Sequence, residues 1–230
     1  LGNMFLDFAG DDVKKISYAA SFGCKEWEYT EEQERMCGKL AKRFNAISVR
    51  EASGVELCKE HFGVKATLVL DPTLLLNKDD YAKVCDDVPK KQKHIFVYSL
   101  VVGEEVLTVA KKLSEATKLP IVVKQAGDKV KKEDTIEDWF AEFRDADYVV
   151  TDSFHGMVFS IIFNKPFAIV MNPSGGNDRY ISLLSQLGLM ERIVSDELQP
   201  VFSAIDWSDV NHRLTELRKA SFEFLKTNLK

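Results

Sequence analysis

The chain has 230 residues, 45% of them apolar and 29% charged, which is the composition of a folded soluble protein with room for a substantial core. Its net charge of −5 argues against a nucleic-acid-binding surface, and the densest basic patch, Lys129 to Lys132, runs straight into Glu133 and Asp134 and reads as a solvated loop. The apolar runs fall far short of the roughly 20 residues a bilayer span needs, and the start has no signal-peptide pattern.

The elements alternate along the chain. Val13 to Ala19 reads as a strand, and Thr30 to Phe44 as a helix opened by Thr30 with two glutamates in its first turn. Ala46 to Val49 reads as a strand, Ser53 to Phe62 as a helix stopped at Gly63, and Ala66 to Leu70 as a third strand ending in Asp71-Pro72. A polar stretch follows, with a helix from about Lys78 to Cys85 and a lobe boundary at about Pro89. A second series then reads strand His94–Ser99, helix Glu104–Thr117, strand Pro120–Lys124, helix Thr135–Arg144 and strand Tyr148–Val150. It continues through helix Phe154–Asn164, strand Phe167–Met171 and helix Asp178–Leu187. Ser208 to Leu229 is a terminal amphipathic helix. Such alternation predicts an α/β fold with parallel sheets. The expected division is a first Rossmann-like lobe at 1–89, a second at 90–200, and a helix at 201–230 packing back on the lobes.

The stretch Asp147-Tyr148-Val149-Val150-Thr151-Asp152-Ser153-Phe154-His155-Gly156 carries the most information. A buried strand empties into a polar loop and then a helix, so the loop lies at the carboxyl edge of a sheet, where open α/β folds bind ligands. The helix N-terminus there attracts anions. His155 is a candidate acid or base because imidazole titrates near neutral pH. Its plain alternative is a histidine that ties the loop to a neighbouring strand. Ser153 and Thr151 offer hydroxyls to a phosphate or cap the helix, and Gly156 sits where an anion would rest.

Arg50 ends a strand and its planar fork suits a carboxylate or phosphate; otherwise it makes a surface pair with a residue such as Glu56. Ser21 lies in a turn of small residues and either bonds a ligand or belongs to a packed turn. The glycine-bearing loop Asn172-Pro173-Ser174-Gly175-Gly176-Asn177, between a strand and a helix, reads either as a cradle for an acceptor or a phosphate with Arg179 as partner or as a flexible loop; it has neither phosphate-loop nor dinucleotide spacing. Lys124, at a strand end, is a weaker donor-site candidate. Asp71-Pro72-Thr73 reads as a structural turn. Cys24, Cys37, Cys58 and Cys85 lie far apart, fit reduced thiols in the cytoplasm, and make no metal-ligand spacing with the histidines.

Four of these words, in order, resemble the polysaccharide pyruvyl transferase family: Ser17-Tyr18-Ala19-Ala20-Ser21-Phe22-Gly23, Ile47-Ser48-Val49-Arg50-Glu51, Asp71-Pro72-Thr73-Leu74-Leu75 and Ser153-Phe154-His155-Gly156. The resemblance implies two Rossmann-like lobes in the GT-B arrangement, the first incomplete here. The chain starts at Leu1, and the family's glycine-rich Asn-Tyr-Gly segment would precede it. It also implies transfer of pyruvate from phosphoenolpyruvate to a pair of sugar hydroxyls as a ketal, in surface or exopolysaccharide synthesis. Phosphoenolpyruvate would be a substrate, with no metal or other cofactor. The acceptor would be a sugar or a lipid-linked oligosaccharide, which leaves room for peripheral membrane association. The family places Arg50 on the donor. Some members have arginine where this chain has Ser153, so here that burden shifts to other cations. A nucleotide-sugar glycosyltransferase on the same architecture and a non-catalytic sugar- or anion-binding module are the rival readings.

Overall fold

The computed structural model describes residues 1–101, 103–126, 135–171, 175–194 and 204–230. The chain is a mixed α/β protein with two parallel sheets, as the alternation predicts. It divides into two compact units: Leu1–Leu75, Ser174–Gly188 and Asp209–Lys230 form the first, and Leu76–Pro173 and Leu189–Ser208 the second, each over its described residues.

In chain order the first unit begins with β1 (Ile16–Ala20), α1 (Glu31–Ala41), β2 (Ala46–Val49), α2 (Ala52–Phe62) and β3 (Thr67–Leu68). The strands form a parallel sheet in the order β1-β2-β3. Thr30 opens α1 with a capping box: its hydroxyl accepts from Gln33 N at 3.3 Å, and Gln33 Oε1 accepts from Thr30 N at 2.9 Å. Gly63 ends α2 in the left-handed region, φ 63°, a conformation that glycine adopts without a Cβ penalty. Cys37 and Ala41 of α1, Cys58 and Phe62 of α2 and Val49 of β2 pack together as one core, with Phe22 and Trp27 against them.

The second unit holds α3 (Lys78–Val84), β4 (Ile95–Ser99), α4 (Glu104–Thr117), β5 (Ile121–Gln125), α5 (Ile136–Asp145), β6 (Tyr148–Thr151), α6 (Phe154–Ile162) and β7 (Phe167–Ile169). Its sheet is wholly parallel in the order β5-β4-β6-β7. The strand order reverses between β4 and β6, so the crevice at their carboxyl ends is the topological switch point of this sheet. One face buries Ile95, Val97, Tyr148 and Val150 against Val106, Val109, Ala110 and Leu113 of α4. Phe96 and Tyr98 point to the other face, where they meet Phe143 and Trp139 of α5, which in turn contact Phe159 of α6.

Two helices follow: α7 (Asp178–Leu187) and α8 (Trp207–Asn228). Both belong chiefly to the first unit. Ser182 of α7 accepts from Ala52 N at 3.0 Å, and Ser221 of α8 accepts from Leu70 N at 3.0 Å. Phe224 of α8 joins Ala19 and Val69 in a second small core. This grouping differs from the division expected from sequence in two places. It falls after Leu75 rather than at Pro89, because α3 lies on α5 and α6 through Tyr81, whose ring is 5.3 Å from Phe140 and 4.9 Å from Phe159. It also assigns α7 to the first unit rather than to a lobe spanning 90–200.

Candidate functional site

The β6–α6 turn is built around a carboxylate that the sequence reading did not single out. Asp152 is 5% exposed, and its oxygens accept from Ser99 Oγ at 2.8 Å, Leu100 N at 2.6 Å and Val101 N at 3.2 Å. It therefore binds the end of β6 to the turn after β4 and closes one side of the switch point. Burial, and then the charge of Asp152, push the Tyr98 phenol up from its ordinary value.

Ser153 is the N-cap of α6: its Oγ accepts from Gly156 N at 3.3 Å, while its own N–H donates to Thr151 Oγ1 at 3.0 Å. A Cβ on Gly156 would lie 2.2 Å from Thr151 Oγ1, so the glycine lets α6 seat closely against the end of β6. Both residues, read from sequence as ligand contacts, are buried and engaged in forming the turn. His155 is different. It is exposed in the first turn of α6, with its ring 5.5 Å from that of Phe154.

At the carboxyl edge of the first unit's sheet, three of the four quoted words come together. Arg50 Nη1 lies 2.6 Å from Asp71 Oδ2, and Asp71 Oδ1 accepts from Thr73 N at 3.0 Å and Thr73 Oγ1 at 2.7 Å. The arginine thus pairs with a 3% exposed aspartate of the Asp71-Pro72-Thr73 turn, rather than with Glu56. Its backbone N–H donates to Ala20 O at 3.1 Å, which places it beside the end of β1. Glu51, wholly buried, reaches across to the third word: its Oε1 accepts from Phe22 N at 2.6 Å and Gly23 N at 3.3 Å. Ser21 stands exposed just before those amides. Burial, with the charge of Glu51 second, pushes the Cys58 thiol up to about 11, so it is inert at neutral pH.

The other candidates fall elsewhere. Arg179 Nε donates to Gly176 O at 3.3 Å in its own loop. Asn172, Pro173 and Ser174 of that loop, and the Lys129–Lys132 patch, lie outside the described residues. Lys124 Nζ lies 3.8 Å from Glu142, alongside Lys91 at 3.2 Å from the same carboxylate. Among the described residues no group of three or more His, Cys, Asp or Glu side chains is arranged to hold a metal ion, and no helix is long and apolar enough to cross a membrane.

Parallel α/β sheets with polar turns at their carboxyl edges, one holding Arg50 in the first unit and another opening α6 at His155 in the second, define the class: a Rossmann-like α/β protein. The sequence profile of the family described as polysaccharide pyruvyl transferase matches residues 1–174. The chain belongs to that family, and its family acts by transfer on polysaccharide sugars. No curated protein matches the chain in a sequence comparison.

Proposed function

We propose that the chain transfers pyruvate from phosphoenolpyruvate to two hydroxyls of a sugar, forming a cyclic ketal in surface or exopolysaccharide synthesis. The observation that carries this is the meeting of three family words around Arg50 at one sheet edge. Asp71 fixes the arginine's fork, and 21% of its side chain stays exposed to take a carboxylate or phosphate. Ser21 and Arg179 are further candidate contacts, and Lys124, Ser153 and Gly156 act at one remove. A GT-B-type pairing of the two units is part of the proposal, as is a sugar or lipid-linked acceptor and the lack of need for a cofactor beyond phosphoenolpyruvate itself.

In this reaction the methylene carbon of phosphoenolpyruvate gains a proton and becomes the methyl group. One sugar hydroxyl bonds to the adjacent carbon, phosphate leaves with its electron pair, and the second hydroxyl closes the ring. The two hydroxyl protons end on the methyl group and on phosphate, so the step balances. His155 would pass the proton to the methylene, and the amides opening α6 would stabilise anionic charge.

The test is the melting temperature with phosphoenolpyruvate, with cytidine and uridine nucleotides in parallel and Arg50→Ala as the second sample. Ligand at about 100 times its dissociation constant adds about 2.7 kcal/mol. A shift with phosphoenolpyruvate that Arg50→Ala abolishes supports the reading. A shift with nucleotides alone overturns it in favour of a glycosyltransferase.

A further inference from the structure

The end of β1 is held in a conformation its own sequence does not favour. Ala19 has φ 53°, in the left-handed region where a Cβ is strained, and the β1–β2 register shifts between Ser17 and Ala20. The Ala19 N–H is met by Ser48 Oγ at 3.0 Å, a side chain from the neighbouring strand. Past this bulge, the chain is tied down by one carboxylate. Glu51 Oε1 takes the amides of Phe22 and Gly23, while Oε2 is buried and makes no hydrogen bond among the described residues.

Burying a carboxylate wholly is expensive unless its hydrogen bonds are made, so a residue with one satisfied oxygen is an odd choice for packing alone. Hydrophobic contact completes the tether. A Cβ on Gly54 would lie 3.3 Å from the Phe22 ring, so the ring rests on the first turn of α2. On the far side Asp178 Oδ2 accepts from Lys25 N at 2.8 Å. Ser21, exposed, lies between the strained bulge and the tethered amides, in the turn that leads away from Ala20 and so from the Arg50 amide.

We propose that Glu51 is a positioning residue for the anionic donor: its carboxylate fixes the Ala20–Gly23 turn so that the Ser21 hydroxyl is held beside Arg50 to bind the donor's carboxylate or phosphate. This rests on the donor reading given above. Glu51 itself touches no substrate; it acts through Ser21.

The full chain is compared as wild type, Glu51→Ala, Glu51→Gln, Ser21→Ala and the Ser21→Ala/Glu51→Ala double variant. Two readouts are taken: phosphoenolpyruvate affinity, and hydrogen exchange at the Phe22 and Gly23 amides with no ligand present. Glu51→Ala should raise exchange at those two amides at least tenfold and leave that of Val69, bonded to Val49 O in the sheet, unchanged. Affinity should fall about tenfold in Glu51→Ala and recover most of the way in Glu51→Gln, whose amide oxygen still accepts. Ser21→Ala should weaken binding in wild type and cost nothing further in Glu51→Ala, because the hydroxyl is already misplaced. Additive losses, or equal losses in Gln and Ala, would overturn the positioning role. Unchanged exchange at Phe22 and Gly23 would overturn it as well. If wild type binds no phosphoenolpyruvate, the donor reading fails and takes the role of Ser21 with it, whereas the exchange result still decides whether Glu51 holds the turn.

Discussion

Replacing Asp152 by alanine removes the acceptor for three donors at once, and their surroundings set the cost. Ser99 is fully buried, so its hydroxyl is stranded, at about 1–3 kcal/mol. Leu100 and Val101 are 39% and 66% exposed, so their amides turn to water and lose about 0.5–1 kcal/mol each. The total is about 2–5 kcal/mol, and a chain of this length loses about 2–4 °C of melting temperature per kcal/mol. Urea unfolding followed by tryptophan fluorescence measures it directly, and Asp152→Asn, which keeps one oxygen, should fall about midway. Adding Ser99→Ala to Asp152→Ala should cost little more, since the stranded hydroxyl is then gone. A loss below about 1 kcal/mol in Asp152→Ala would refute the clamp, for water would then serve all three donors as well.

Gly156→Ala drives a methyl group into Thr151 and should cost about 1–3 kcal/mol in urea unfolding, less when combined with Thr151→Ala. Thr30→Ala removes one half of the α1 capping box and should cost about 1 kcal/mol by the same measurement. His94, 2% exposed with Nε2 3.0 Å from Glu142, has its pKa held above the ordinary 6.5 by that carboxylate, against the opposing effect of burial. A raised folded-state value means the protonated pair stabilises fully below about pH 6.5 and the contribution is lost as pH climbs through the folded value. Thermal melts from pH 5 to 9 should therefore show wild type losing its advantage over His94→Gln as pH rises; a constant difference would rule the pair out.

The helices and strands were legible where local signals agree. Glu104–Thr117 and Asp178–Leu187 have clean apolar periodicity, and Ala46–Val49 is a short β-rich run; all three appear with those bounds. β3 is shorter than the apolar run Ala66–Leu70 suggests, because Leu70 N is met by Ser221 of α8 instead of a strand. Val13 is not in a strand either: it stands 49% exposed, and β1 begins at Ile16. Of the site, the turns at strand ends could be read, but their mutual bonding could not. The partners Arg50 and Asp71 are 21 residues apart, and Glu51 and Phe22 are 29 apart, distances over which no periodicity speaks. Asp152 left a faint trace, an acid directly after a buried strand, and Ser153 and Gly156 carried the pattern of a helix start that also suits an anion.

The chain leaves its first unit after Leu75, returns to it with α7, leaves it again at Leu189 and comes back with α8, so both segments of the second unit are interposed in the first. During synthesis the four strands from β4 to β7 emerge and can pair before α8 exists. The sheet around Arg50 must wait for Ser221 and Phe224 to reach it, and until then the Leu70 amide just past β3 lacks its Ser221 acceptor and Ala19 and Val69 lack the cover of Phe224. Vectorial folding thus gives the two halves different histories: the second sheet is free to form early, while the first stays dependent on α8, which is made after all seven described strands.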